Sequence, residues 1–122
     1  MELPTEKDRV ILGIDPGTNF MGYGVIHEKG KTIELVAYGI VDMHKMEGHF
    51  NKLKHIFERT TQLIDGFNPD EIAIEAPFQG KNVQSMLKLG RAQGAAIAAG
   101  LQRTIPIFES APRKVKLSIT GS

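Results

Sequence analysis

Hydrophobic positions fall into two kinds of segment along the chain, short uninterrupted runs and longer stretches with helical spacing. Two of the uninterrupted runs, 10–14 and 72–74, lead directly into the acidic residues Asp15 and Glu75, and turn-forming residues follow each acid. A short apolar run bounded by turn residues is typical of a buried strand. We therefore predict one strand over 9–15 and another that ends at Glu75.

Two further strands are predicted to follow the first and to form an antiparallel meander with it. The segment 15–19 is a turn in which Pro16 is followed by glycine, and both residue types favour tight turns. The next strands cover 22–27 and 32–41, with a hairpin turn over 28–31. Because both connections are short, consecutive strands should run antiparallel.

Apolar residues recur with helical spacing in two longer segments, which predicts two amphipathic helices. The first helix covers 49–65, with Gly66 as its stop signal. The second covers 81–101 and carries small residues, including Gly90 and Gly94, along one stripe. Such small residues let another backbone approach closely, either the sheet or a second subunit.

The last part of the chain is predicted to add one strand and the start of another helix. Residues 105–108 form the strand, which Pro106 places at an edge of the sheet because proline has no backbone N–H to donate. Residues 111–116 begin a helix, with Pro112 near its start. The order β-β-β-α-β-α-β-(α) predicts an α/β fold with a five-stranded mixed sheet, in which the meander and parallel strands are flanked by helices.

Length and composition indicate a single globular domain. The chain has 122 residues and no cysteine, which excludes disulfides and thiolate metal sites. No apolar stretch approaches the about 20 residues that a membrane-spanning helix needs. The polar, acidic start does not resemble a signal peptide. We therefore expect a cytoplasmic protein with no membrane partner.

Charge is distributed unevenly along the chain although the formal net charge is only +1. Residues 1–80 carry 8 Lys/Arg and 13 Asp/Glu, whereas residues 81–122 carry 7 Lys/Arg and one acid, Glu109. This asymmetry is typical of a protein with a polyanionic partner on its basic side. A merely solvated basic surface is the alternative interpretation.

The two acids at strand ends are the main candidates for chemistry. Open α/β sheets bind their ligands at the carboxyl ends of the strands, so Asp15 and Glu75 on neighbouring strands would converge there. Carboxylate oxygens suit hard divalent cations such as Mg²⁺ or Mn²⁺. The pair therefore predicts a metal site, and the alternative is two solvated strand ends. The four histidines have no ligand spacing, and we expect His49 and His55 to be exposed.

Four separated motifs, in order, carry a resemblance to a known family. They are the Asp-Pro-Gly-Thr turn followed by a glycine-containing strand (11–26), a strand-ending acid with an aromatic and a lysine after it (73–82), the small-residue helix (87–94) and a basic segment (111–116). From about residue 9 to its end the chain resembles RuvC-type Holliday junction resolvases. Their fold is ribonuclease-H-like, and the predicted element order is that of this fold.

The resemblance implies an endonuclease that cuts four-way DNA junctions as a homodimer, in recombination and repair, together with a branch-migration motor complex. Its complete active site holds two Mg²⁺ or Mn²⁺ ions with four carboxylates, of which Asp15 and Glu75 match the first two. The other two are expected as aspartates three apart on a C-terminal helix, beyond Ser122. We therefore expect residues 1–122 to be one ribonuclease-H-like nuclease domain lacking its C-terminal helices, inactive or nearly so.

DNA contacts are expected from one aromatic and several basic residues. Phe78 matches a family position that contacts a base, and stacking on an unpaired base is worth about 1–3 kcal/mol; a buried loop anchor is its alternative role. The candidate phosphate contacts are Lys81, Arg91, Arg113, Lys114 and Lys116.

Two other functions remain open at this point. One is a fragment of an actin-like ATPase or sugar kinase, because 15–18 also fits the phosphate loop that opens those folds. The other is a resolvase-like domain that binds junctions without cutting them. A related family proposed to process ribosomal RNA ranks behind both, because the helix motif 87–94 does not resemble its members.

Overall fold

Five strands and two helices make up the part of the protein that the computed structural model describes, residues 8–76 and 82–110. In chain order they are β1 (Arg9–Asp15), β2 (Phe20–Lys29), β3 (Thr32–Asp42), α1 (His49–Phe67), β4 (Glu71–Glu75), α2 (Val83–Gln102) and β5 (Ile107–Ser110). The strands form one sheet in the order β3-β2-β1-β4-β5. β1 pairs antiparallel with β2 and β2 with β3, whereas β1–β4 and β4–β5 are parallel. The predicted mixed sheet is therefore confirmed.

Strand β1 has its predicted bounds, whereas β2 and β3 are longer than predicted because backbone pairing continues into the residues next to the turns. Arg9 pairs with Glu28 at one end of β1, and Asp15 pairs with Gly22 at the other. Gly30 turns the chain between β2 and β3 with φ at 60°, a left-handed conformation that glycine adopts without steric cost. The hairpin turn lies where the sequence predicted it.

Both helices pack on one face of the sheet and bury the apolar runs. Four isoleucine and leucine side chains of the two central strands are at most 1% exposed: Leu12, Ile14, Ile72 and Ile74. Ile56 of α1 is fully buried, and α2 contributes the buried alanines Ala92, Ala96 and Ala99. Small residues on α2 therefore bring this helix close to the sheet. A Cβ added to Gly100 would lie 2.8 Å from Cδ1 of Ile72.

Two element ends differ from the predicted positions. Helix α1 passes through Gly66 and ends at Phe67, where Asn68 adopts the left-handed conformation (φ 48°) and donates its N–H to the Ile64 carbonyl at 2.8 Å. Asparagine is the residue that most often replaces glycine in this capping role. Strand β5 is an edge strand, as predicted, but it begins after Pro106, whose carbonyl accepts the Ile72 N–H at 2.9 Å.

The start of α2 is capped by a side chain that the sequence analysis placed inside the helix. Asn82 has an extended conformation, and its side-chain oxygen accepts the Ser85 N–H at 2.8 Å. The helix predicted to begin in 111–116 lies outside the described residues. Within the described ranges, neither helix is long and apolar enough to cross a membrane.

Candidate functional site

Asp15 and Glu75 lie side by side at one end of the sheet. Each is the last residue of its strand, and the preceding residues Ile14 and Ile74 are partners in the parallel β1–β4 ladder. Neighbouring strands are about 4.8 Å apart, so the two carboxylates start from adjacent backbone positions. We call this end of the sheet the carboxyl end, and the end at which β1 and β4 begin the amino end.

The two acids share the face of the sheet opposite the helices. Side chains alternate along a strand, and Ile14 and Ile74 point toward the helices, so Asp15 and Glu75 point away from them. Asp15 is half-buried and Glu75 is 7% exposed. Gly22 lies beside Asp15 on β2, and a Cβ added there would be 3.6 Å from the Asp15 Cβ. Glycine thus leaves room next to the aspartate.

Helix α2 fixes the position of the Glu75 backbone. The Gln93 side-chain amide donates a hydrogen bond to the Glu75 carbonyl at 3.2 Å, and Gln93 is only 8% exposed. On the other side, the Ala76 N–H donates to the Ser110 carbonyl at 2.8 Å. Gln93 was not among the residues predicted to form the site. The signal that could have identified it is a single polar residue between Ala92 and Ala96, on the side of the helix that is buried.

The loop after Asp15 is held by β3 and α1. The Asn19 carbonyl accepts the Met43 N–H at 2.7 Å. The Asn19 side-chain oxygen accepts a hydrogen bond from the Lys52 ammonium group at 2.8 Å. A cation on α1 is therefore anchored four residues past Asp15, which no sequence pattern indicated.

Positive side chains surround His49 at the start of α1. Burial, followed by the charges of Arg91, Lys88 and Lys52, lowers the pKa of His49. Its Nε2 is shielded from solvent and has no hydrogen-bond partner in the described part of the chain. The Arg91 guanidinium lies 6.0 Å from the centroid of the Phe50 ring. The expectation that His49 and His55 are exposed is wrong, because both are half-buried between neighbouring side chains.

Only some of the predicted site residues lie in the part of the chain that the structure describes. Among residues 8–76 and 82–110, no group of three His, Cys, Asp or Glu side chains is arranged to hold a metal ion. Asp15 and Glu75 are the two carboxylates brought together, and Arg91 lies on α2. The remaining predicted DNA contacts lie outside the described residues: Phe78, Lys81, Arg113, Lys114 and Lys116.

Comparison with known protein families gives a match over most of the chain. The family model described as crossover junction endodeoxyribonuclease RuvC matches residues 11–122. The proteins of that name from Bacteroides fragilis and Porphyromonas gingivalis are each 60% identical to the chain over 116 residues, which is 95% of its length. These matches cover 62% and 61% of the two relatives. The chain therefore spans about three fifths of the length of these relatives.

Solved structures with the same fold include two of RuvC from Thermus thermophilus. One is described as being in complex with a Holliday junction substrate; it has a TM-score of 0.78 and 26% identity, and the match covers 88% of this chain and 68% of that chain. The other has a TM-score of 0.75 and 27% identity, covering 92% and 69% respectively. A PPX-GPPA enzyme from Aquifex aeolicus shares the fold alone, with a TM-score of 0.52 and 9% identity.

Proposed function

Because the chain belongs to the family of crossover junction endodeoxyribonucleases RuvC, we propose that the whole protein is a structure-selective endonuclease. Its substrate is the four-way DNA junction, which it resolves by phosphodiester hydrolysis in recombination and repair. The observation that carries this proposal is the placement of Asp15 and Glu75 on adjacent strand ends, beside each other and on one face. The junction complex of the Thermus thermophilus relative supports the same substrate.

The two carboxylates fit a divalent metal ion. Bringing like charges together on neighbouring strands is unfavourable unless a cation or another positive group joins them. Hard carboxylate oxygens select Mg²⁺ or Mn²⁺ over softer metals. Such ions, when bound, neutralise the charge on the phosphate and lower the pKa of a coordinated water. Asp15 and Glu75 are the residues that would hold them.

The chain's own residues contribute by positioning these ligands. Gln93 ties the Glu75 backbone to α2, so that the carboxylate starts from a fixed strand end. Gly22 keeps the space beside Asp15 free of a side chain. A site that must hold its ligands within a few tenths of an ångström needs such support from surrounding elements.

Four carboxylates complete the proposed two-metal site, and residues 1–122 supply two of them. Two carboxylates can hold one hard cation with water in the other positions, but a pair of close dications needs more negative charge. We therefore propose that residues 1–122 form one nuclease domain that, by itself, binds junctions and cuts them poorly or not at all.

The proposed DNA contacts combine stacking and phosphate binding. Phe78 would stack on an unpaired base at the junction centre. The proposed basic contacts are Lys81, Arg91, Arg113, Lys114 and Lys116, of which Lys116 matches a basic position of the family. Contacts to phosphates give affinity that does not depend on base sequence, as expected for an enzyme that recognises a branched shape.

Helix α2 is the proposed contact surface of a homodimer. A Cβ added to Gly90 or Gly94 would meet nothing within 4 Å, so this side of the helix is open. Val83 and Leu87 on the same helix are 83% and 53% exposed. An open stripe of small and apolar residues fits close packing against a second copy. We further propose that the dimer acts in the cytoplasm with a branch-migration motor complex.

The proposed function is tested with the full-length protein, a synthetic four-way junction and Mg²⁺. Asp15→Asn and Glu75→Gln should each reduce the cleavage rate by at least about 100-fold, because removing a metal ligand removes transition-state stabilisation, and junction binding should persist. Asp42→Asn is the matched control, since Asp42 ends β3 at the same end of the sheet but is hydrogen-bonded to His44. Cleavage that survives both substitutions would contradict the proposal.

A further inference from the structure

Three basic side chains are close enough to His49, at the start of α1, to act on its charge, and we call them the helix-start cluster: Lys52, Lys88 and Arg91. The two helices begin at the same end of the molecule. α1 follows β3 and α2 follows β4, and both strands end at the carboxyl end of the sheet. The cluster therefore combines cations from two segments that are separated in sequence.

A direct hydrogen bond connects the cluster to the proposed active-site end. The Lys52 ammonium group donates to the Asn19 side chain at 2.8 Å, and Asn19 is four residues after Asp15. An ammonium group has three donors, so Lys52 keeps two for another acceptor. Asn19 is neutral, and its hydrogen bond positions the lysine without cancelling its charge.

The charges of the cluster are not neutralised by acids in the part of the chain that the structure describes. Within the described ranges, neither lysine nor Arg91 forms an ion pair with an acid. Several other described cations do pair, as Lys54 does with Glu58 at 3.7 Å and Arg103 with Asp65 at 2.8 Å. Like charges held together repel one another, and a bound anion relieves that repulsion. The neighbouring His49 responds to the three positive charges, which disfavour its protonated form.

An aromatic ring orients one member of the cluster. Phe50 is 74% exposed, and Arg91 lies over its ring at 6.0 Å. The attraction between a guanidinium and a ring face restrains the long side chain while leaving its N–H groups directed to the side. Such a guanidinium can donate two parallel hydrogen bonds to a phosphate.

We propose that the helix-start cluster binds backbone phosphates of a DNA strand that passes the Asp15–Glu75 end of the sheet. This inference rests on the proposed function and extends it, because Lys52 and Lys88 are not among the DNA contacts proposed above. The proposed contacts are to phosphates, because their anionic oxygens accept hydrogen bonds from cationic donors and the charges attract. The strand is held next to the loop that follows Asp15.

The test measures junction binding by the full-length protein as a function of salt, in the Asp15→Asn background so that no DNA is cut. Each phosphate contact contributes about 0.9 to the slope of log K against log salt on duplex DNA. The double substitution of Lys52 and Arg91 by alanine should therefore lower the slope by about 2. It should weaken binding about tenfold at 0.1 M salt, an order of magnitude that corresponds to two lost contacts.

Two control variants separate phosphate binding from general effects of charge and folding. Lys54→Ala removes the same charge from the same helix, at a position 77% exposed and paired with Glu58, and should leave the slope unchanged. Arg91→Lys keeps the charge and should retain most of the slope, which shows that the loss with alanine is not a folding defect.

Each outcome of this experiment has a defined meaning. An unchanged slope in the double variant, or an equal loss in Lys54→Ala, overturns the inference while junction cleavage by the unaltered protein stands. Failure of the unaltered protein to bind the junction overturns the proposed function, and the inference falls with it. A reduced slope in the double variant alone supports the inference.

Discussion

The two ends of the sheet carry charge in opposite ways. At the amino end, cations and anions pair with each other: Arg9 reaches Glu28 at 2.9 Å and Glu71 at 3.0 Å. The C-terminal parts of the two helices meet at this end too, where Arg103 contacts Asp65 at 2.8 Å. These pairs join β1 to both of its neighbours and α1 to α2. Charge at the amino end therefore serves the fold.

At the carboxyl end, acids are grouped with acids and cations with cations. Asp15 and Glu75 share one face of the sheet, whereas Lys52, Lys88 and Arg91 lie together on the helices. Groups of one sign attract ligands of the other sign, and the ligands proposed for these two groups are a divalent cation and DNA phosphates. The difference between the ends teaches that opposite charges in contact indicate a structural role, and that charges sorted by sign indicate a binding role.

The largest expected difference between the ends is in their response to Mg²⁺. At a Mg²⁺ concentration ten times the dissociation constant, the full-length protein should gain about 1.4 kcal/mol of stability, seen as a higher melting temperature. Asp15→Asn should abolish this gain. Glu71→Gln removes an acid at the amino end of the same sheet, and this variant should still be stabilised by Mg²⁺. A Mg²⁺ response lost equally in both variants would contradict the comparison.

A smaller effect is expected from breaking the paired charges at the amino end. Arg9→Ala should cost less than about 1 kcal/mol of unfolding free energy in urea titrations, because the Arg9 side chain is 47% exposed and water screens its ion pairs. Junction cleavage should be unaffected, since Arg9 is at the opposite end of β1 from Asp15. A cleavage defect without a loss of stability would contradict the conclusion that the charges at the amino end only stabilise the fold.

The smallest effect is expected in the pH dependence of stability. The pKa of His49 is lowered in the folded protein, first by burial and then by the cluster charges, so the unfolded chain binds the proton more strongly. Stability should therefore be full above about pH 6.5, the ordinary histidine value, and decline as the pH falls below it. His49→Gln should flatten this decline in melting temperature between pH 5 and 8. Arg91→Gln should make this decline smaller. A decline that is unchanged in both variants would show that His49 does not cause the pH dependence.

Local sequence signals predicted most of the fold, and their failures have physical causes. The apolar run before Asp15 and the helical spacing in α1 are properties of neighbouring residues, and both elements lie where predicted. The end of α1 was misplaced because Gly66 and Asn68 are both acceptable helix stops. Packing and the Asn68 hydrogen bond to Ile64 decide between them.

The candidate site divides in the same way between local and distant signals. That Asp15 and Glu75 end strands could be predicted, because turn residues follow both acids. The role of Gln93 could not, since its partner is the carbonyl of a residue 18 positions away. Lys52 likewise depends on Asn19, which is 33 positions away. A single sequence contains no pattern at such separations.

By itself the sequence determined the strands, the helices and the acids at the strand ends, because hydrophobic periodicity and turn chemistry act over a few residues. Only the tertiary structure decided that β4 pairs with β1, which places Glu75 next to Asp15 across sixty positions of chain. It also decided that Lys52 of α1 reaches the loop after Asp15 and that cations of both helices lie near His49. Those arrangements follow from burying the central strands of the sheet under two helices, and that burial is a property of the assembled chain.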